Sequence, residues 1–104
     1  MATKFSLNPE PTFKAKVGIP VPGKGIARID FEFNYFDRDE YVALFQQDPM
    51  PNDKGLIMQI VRGWGLDDEF NEDSVELLLK KYQKAAAAIM TTFCEEIGPS
   101  RMGN

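Results

Sequence analysis

Two stretches of strict alternation, Phe13 to Ile19 and Ala27 to Tyr35, flank the segment Pro20-Val21-Pro22-Gly23-Lys24-Gly25. In the first, Phe13, Ala15, Val17 and Ile19 alternate with Lys14 and Lys16. In the second, Ala27, Ile29, Phe31, Phe33 and Tyr35 alternate with Arg28, Asp30, Glu32 and Asn34. Period two with polar partners is the pattern of a half-buried strand. The prolines fix φ and the glycines admit positive φ, so the pair reads as an antiparallel hairpin. A lone hairpin is marginal in water, so its apolar face requires cover from the rest of the chain.

Helices supply that cover. Asp37 can accept from first-turn N–H groups, and Glu40 sits where a capping-box acid reaches back, ahead of Tyr41, Leu44 and Phe45. The loop Asp48-Pro49-Met50-Pro51-Asn52-Asp53 ends this short helix. Leu56, Ile57, Ile60, Val61 and Trp64 follow at helical spacing, although Ile57 to Val61 also fits a buried strand. Asn71 is a good cap for a last, long helix, with Glu72, Asp73 and Glu76 in its first turn, where the dipole favours negative charge. At 100° per residue, Val75, Leu78, Leu79, Tyr82, Ala86, Ile89, Met90, Phe93 and Ile97 share one stripe. Lys80, Lys81, Lys84, Thr91 and Glu95 lie opposite, and Glu76 with Lys80 forms an i,i+4 pair. Gly98-Pro99 stops the helix. The fold class is therefore α+β: an N-terminal antiparallel β-hairpin packed on about three helices, with a long C-terminal amphipathic helix. At 104 residues one domain spans 1–104, with 1–12 an extended arm broken by Pro9 and Pro11, and 98–104 a flexible tail.

The net charge of −4 disfavours nucleic-acid binding, since no local basic patch offsets it. No run approaches the ~20 apolar residues that span a bilayer, and no signal-peptide pattern opens the chain. A single cysteine, Cys94, fits a reducing cytosol. Histidine is absent, which removes the commonest acid–base side chain and any partner for Ser6, Ser74, Ser100 or Cys94.

Three motif readings fail on their own chemistry. Gly18 to Lys24 matches the start of a phosphate loop, but Gly25 replaces the Ser/Thr, prolines delete N–H donors, and a strand follows where a helix is needed. Asp67, Glu69, Asn71 and Asp73 have EF-hand spacing, yet Glu72 stands at the glycine position and Leu78 at the bidentate glutamate. The run Phe31 to Phe36 is interleaved with acids that would repel a phosphate backbone, so it reads as core. No catalytic residue, cofactor or metal is expected. What packing leaves over is the outer face of the last helix, where Leu77 lies near Ala88, and Ala87, Ala88 and Thr91 leave a flat surface fit for a second helix or another copy of the chain.

The order of these pieces resembles the tail assembly chaperones of long-tailed phages. The resemblance rests on Pro9 to Gly23, then Gly63-Trp64, Asp68-Glu69-Phe70, a capped helix carrying Leu78, Tyr82, Ala85 to Ala88, Ile89 and Phe93, and a closing Arg101-Met102-Gly103-Asn104. Gln83 stands where many members of that family carry a proline, so the helix is expected to run unbroken. The resemblance implies a non-enzymatic chaperone of phage or prophage origin, acting in the host cytoplasm and absent from the finished virion. It implies binding to the tape measure protein and recruitment of tail tube subunits, the latter through a longer product of ribosomal frameshifting. On this reading the partner surface comprises Leu77, Lys84, Ala88 and Thr91 with Arg101 and Met102 of the tail. The rival is a structural tail completion or head–tail joining subunit, which mass spectrometry of purified virions would reveal.

Overall fold

The computed structural model describes residues 5–99. In order the elements are β1 (Thr12–Val21), β2 (Gly25–Asn34), α1 (Arg38–Leu44), α2 (Asp53–Ile60), β3 (Val61–Trp64), α3 (Glu72–Lys81) and α4 (Ala85–Ile97). The strands form one antiparallel sheet, ordered β1-β2-β3, and the fold is α+β with an N-terminal hairpin.

The hairpin register sets Phe13 opposite Phe33, Ala15 opposite Phe31, Val17 opposite Ile29 and Ile19 opposite Ala27, so the two alternating runs share one face. Pro22 and Gly23 occupy the corner, Gly23 at φ 77°, and the Lys24 N–H donates to the Val21 carbonyl at 2.9 Å. Proline first and a positive-φ glycine second is the type II pattern. Tyr35 departs from the alternation: it lies past the end of β2 and is exposed. The opposite face is polar and open to solvent, with Lys16 bound to Asp30 at 2.6 Å.

Helix starts follow the caps. Asp37 and Glu40 form the full capping box of α1, at 2.8 and 2.9 Å. The side chains of Asn52 and Asn71 accept from Gly55 and Ser74, each at 2.8 Å. The ambiguous run from Leu56 to Trp64 is both things in turn: α2 ends at Ile60, and β3 begins at Val61. Pairing decides the switch, because Val61 meets Phe33 and Trp64 meets Phe31 around a bulge at Glu32/Phe33.

The long helix is two helices. It stops at Tyr82, whose backbone is extended (φ −124°, ψ 95°), and resumes as α4 at Ala85. A straight helix from Glu72 to Ile97 would run about 39 Å, against a greatest molecular extent of 41 Å. The break lets α3 pack on α2 while α4 lies on β1. The absence of a proline at 83 does not keep the helix whole, because tertiary packing outweighs the small propensity gain. All nine residues of the expected stripe are nevertheless buried in the core or packed against it. Glu76 is not ion-paired with Lys80; it binds Lys54 of α2 at 2.9 Å, and Glu72 adds a second, weaker approach at 3.9 Å.

The geometry at Tyr82 is nearly that required before a proline. Gln83→Pro is therefore expected to fold normally and to raise the unfolding free energy by about 0.4–1 kcal/mol. Urea melts of both proteins would show this, and a loss of more than 1 kcal/mol would contradict the local geometry.

Phe93 of α4 is the hub of the core. Its ring lies 5.7 Å from Phe33, 5.7 Å from Phe36, 6.1 Å from Tyr41 and 6.4 Å from Phe13. Gly98 closes the helix with ordinary φ (−74°), so a left-handed cap is not what it provides. A Cβ there would sit 2.5 Å from the Tyr41 hydroxyl and 2.6 Å from the Cys94 carbonyl, so glycine is needed for close approach.

Candidate functional site

The apolar stripe of α4 covers one end of the inner sheet face, and the turn end is left partly open. There Ile19, Val21, Ala27 and Ile29 floor a groove of about 340 Å³. Trp64 and Leu66 form one wall, and Leu77 and Leu78 of α3 with Tyr82 just past its end form the other, with Asp68, Ser74 and Lys81 supplying polar atoms at the rim. Apolar walls with a few polar groups at the margin are the usual make-up of a binding site.

Each wall is held from behind. Trp64 donates its indole N–H to the Asp68 carbonyl at 2.8 Å and packs edge-on against Phe31 and Phe70. On the other side α3 is anchored by Val75, its one fully buried residue, and by Lys54 reaching over from α2. The hydrogen bond to Glu76 raises the Lys54 pKa, and the same bond lowers that of Glu76. Lys54 is half-buried and Glu76 exposed, so solvent screens the pair and it orients α3 more than it stabilises it.

The expected partner residues divide between two helices. Leu77 forms part of the groove wall and is 52% exposed. Lys84, Ala88 and Thr91 belong to the α4 end of the break and do not line the groove. Lys84 and Thr91 are exposed, whereas Ala88 is half-buried against the core. Arg101 and Met102 lie outside the described residues. The sequence reading missed the groove itself: Ile19, Ala27 and Trp64 read as core, Lys81 as part of the polar face opposite the stripe, and Leu66 not at all. The available signal was a hairpin whose apolar face extends further than one helix covers.

Little in the described residues is arranged for chemistry. No group of three metal-ligating side chains comes together. Tyr41 is the most displaced titratable group, pushed up to about 12 by burial and by its hydrogen bond with Cys94. That direction keeps the phenol neutral and makes it a poorer base or nucleophile at neutral pH. Cys94 itself is half-buried and packed against the core.

A family model described as phage tail assembly chaperone matches residues 1–104, the whole chain. The chain belongs to the phage tail assembly chaperone family. No curated protein and no solved structure matches it. In a tail assembly chaperone the relevant surfaces are those that meet other tail proteins, and the groove beside α3 is an open, largely apolar concavity on this one. No described helix of this chaperone is long and apolar enough to cross a membrane.

Proposed function

We propose that this tail assembly chaperone is non-enzymatic and binds the tape measure protein through the groove between the hairpin and α3. The observation that carries the reading is an open, apolar groove with the exposed Leu77 on its wall. A tape measure helix presents an apolar stripe before tail tube subunits enclose it, and a stripe of this kind docks by inserting side chains at i, i+3 and i+4 into such a groove. A volume near 340 Å³ takes a few side chains of that stripe, not a whole helix. Binding of this size is weak per copy and reversible, as a chaperone requires, and several copies along one client add avidity.

The remainder of the client lies across Lys84, Ala88 and Thr91, with Arg101 and Met102 in the tail as its continuation. Recruitment of tail tube subunits belongs to a longer frameshifted product, and the site of action is the host cytoplasm, before the virion is complete. Co-expression with tape measure fragments and affinity capture tests the assignment. Leu77→Asp is expected to weaken capture by about 30-fold, the loss of roughly 2 kcal/mol typical of a central contact. Thr91→Glu is expected to weaken it less. Undiminished capture by both variants would sink this surface.

A further inference from the structure

The charges around the groove are unused by this reading, and they are sorted by sign. From α3 and its end the groove takes Ser74, Leu77, Leu78, Lys81 and Tyr82. That spacing of i, i+3, i+4, i+7 and i+8 follows one helix face from end to end, so the groove runs along the α3 axis. Where α3 starts, the charge is negative: Asp67, Asp68 and Glu69 lead into Glu72 and Asp73, with no base among residues 67–79. Where it ends, the charge is positive: Lys80 and Lys81 are followed by Lys84, with no acid among residues 77–94. Asp68 and Lys81 themselves line the groove, so each sign reaches it.

Helix stability explains only part of this. Acid in the first turn and base in the last suit the α3 dipole, an effect that fades within one turn. Asp67, Asp68 and Lys84 lie outside α3. The Asp68 backbone is held by the Trp64 indole N–H, which donates to its carbonyl at 2.8 Å. That bond also places Trp64 at the acidic end of the groove. Asp67, Asp68, Glu69, Lys80, Lys81 and Lys84 are all exposed, and no ion pair among the described residues engages any of them. Their charge is available to an occupant.

We infer that the groove selects the direction of the helix laid in it. Turning a helix end for end exchanges its terminal charges, so a groove with ends of opposite sign favours one direction and opposes the other. A helix of the usual pattern, acidic at its start and basic at its end, lies antiparallel to α3. Its basic end sits over Asp68 and its acidic start over Lys81. This rests on the function proposed above and deepens it: the client is an amphipathic helix of that charge order, and copies bound along one client all face the same way.

The test uses the full chain and a 14-residue peptide with leucines at helical spacing, glutamates in its first turn and lysines in its last. As a helix the peptide is about 21 Å long. It carries a dansyl acceptor at one end or the other, and the single tryptophan, Trp64, is the energy donor. Transfer is expected to be stronger to the dansyl at the lysine end. Asp68→Lys with Lys81→Glu should reverse that order with an unchanged far-UV spectrum. Replacing the peptide's charges by glutamine should weaken binding about tenfold at low salt, the scale of two exposed ion pairs. Should the double variant fail to fold, the wild-type transfer order and the glutamine peptide decide alone. Equal transfer to both ends in the wild type would overturn the inference, as would a glutamine peptide bound equally well. Leu77→Asp separates the two readings. If it weakens peptide binding while both ends transfer equally, the groove stands and the direction falls. If it leaves peptide binding unchanged, the groove assignment itself falls.

Discussion

Phe93→Ala is expected to lower the unfolding free energy by about 3–5 kcal/mol, the range for truncating a fully buried aromatic residue. Phe93 has no exposed surface and contacts rings from β1, β2, α1 and the segment between them, so no single neighbour can collapse into the space it leaves. Domains of this size are commonly stable by only about 5–15 kcal/mol, so the variant should sit near the edge of folding. Equilibrium denaturation in urea measures it, and the midpoint should fall with little change in slope. Phe93→Leu should retain more than half of the stability that alanine loses. Equal losses from the two substitutions would mean that the ring contacts, and not the filled volume, carry the contribution of Phe93.

The second large effect is expected at Val75, and it links stability to the groove. Val75 is the only fully buried residue of α3, and it has no exposed surface. Val75→Asp sets an unpartnered carboxylate there, at a cost on the order of 4 kcal/mol. Because α3 has no other deep anchor, the damage should concentrate on its attachment. The wall formed by Leu77, Leu78 and Tyr82 goes with it, and tape measure capture should be lost even where the sheet and α4 remain folded. Burial raises the pKa of such a carboxyl above its unfolded value. The sign follows from linkage: stability contributed by the neutral form is fully present below the unfolded pKa and is lost as pH rises through the folded one. The variant should thus recover part of its deficit relative to wild type on mild acidification, followed by thermal melts at several pH values. A deficit that does not shrink would show that the new side chain escapes to solvent.

The groove explains why the two halves of the chain were not equally legible. Short-range signals transferred well. Asp37, Asn52 and Asn71 cap where their side chains can reach the first-turn N–H groups, and Pro22-Gly23 turns the hairpin, since both effects need only a few neighbouring residues. Asn52 was read only as part of a loop, yet it acts by the same chemistry. The run from Leu56 to Trp64 was ambiguous because helical spacing and buried-strand composition coincide there. The pairing of Val61 with Phe33 resolves it through a strand distant in sequence. The break at Tyr82 carried no local mark, since Gln83 is compatible with a continuous helix. It arises because α4 turns to lie on β1, which α3 does not, while both helices pack on α2.

The same distinction separates what belongs to the sequence from what belongs to the fold. Alternation in Phe13 to Ile19 and Ala27 to Phe33 determined the hairpin and its apolar face by itself, because side-chain direction in a strand reverses at every residue whatever surrounds it. The apolar spacing from Val75 to Ile97 likewise determined which residues pack inward, and all nine do so despite the break. Tertiary structure alone decided where that spacing divides, which end of the sheet α4 covers and which end stays open. Those outcomes depend on distances between elements far apart in the chain, and no pattern read along the chain contains them. Leu77 shows the difference at a single residue. The sequence marked it as apolar and out of place, and the turn between α3 and α4 made it the wall of a groove.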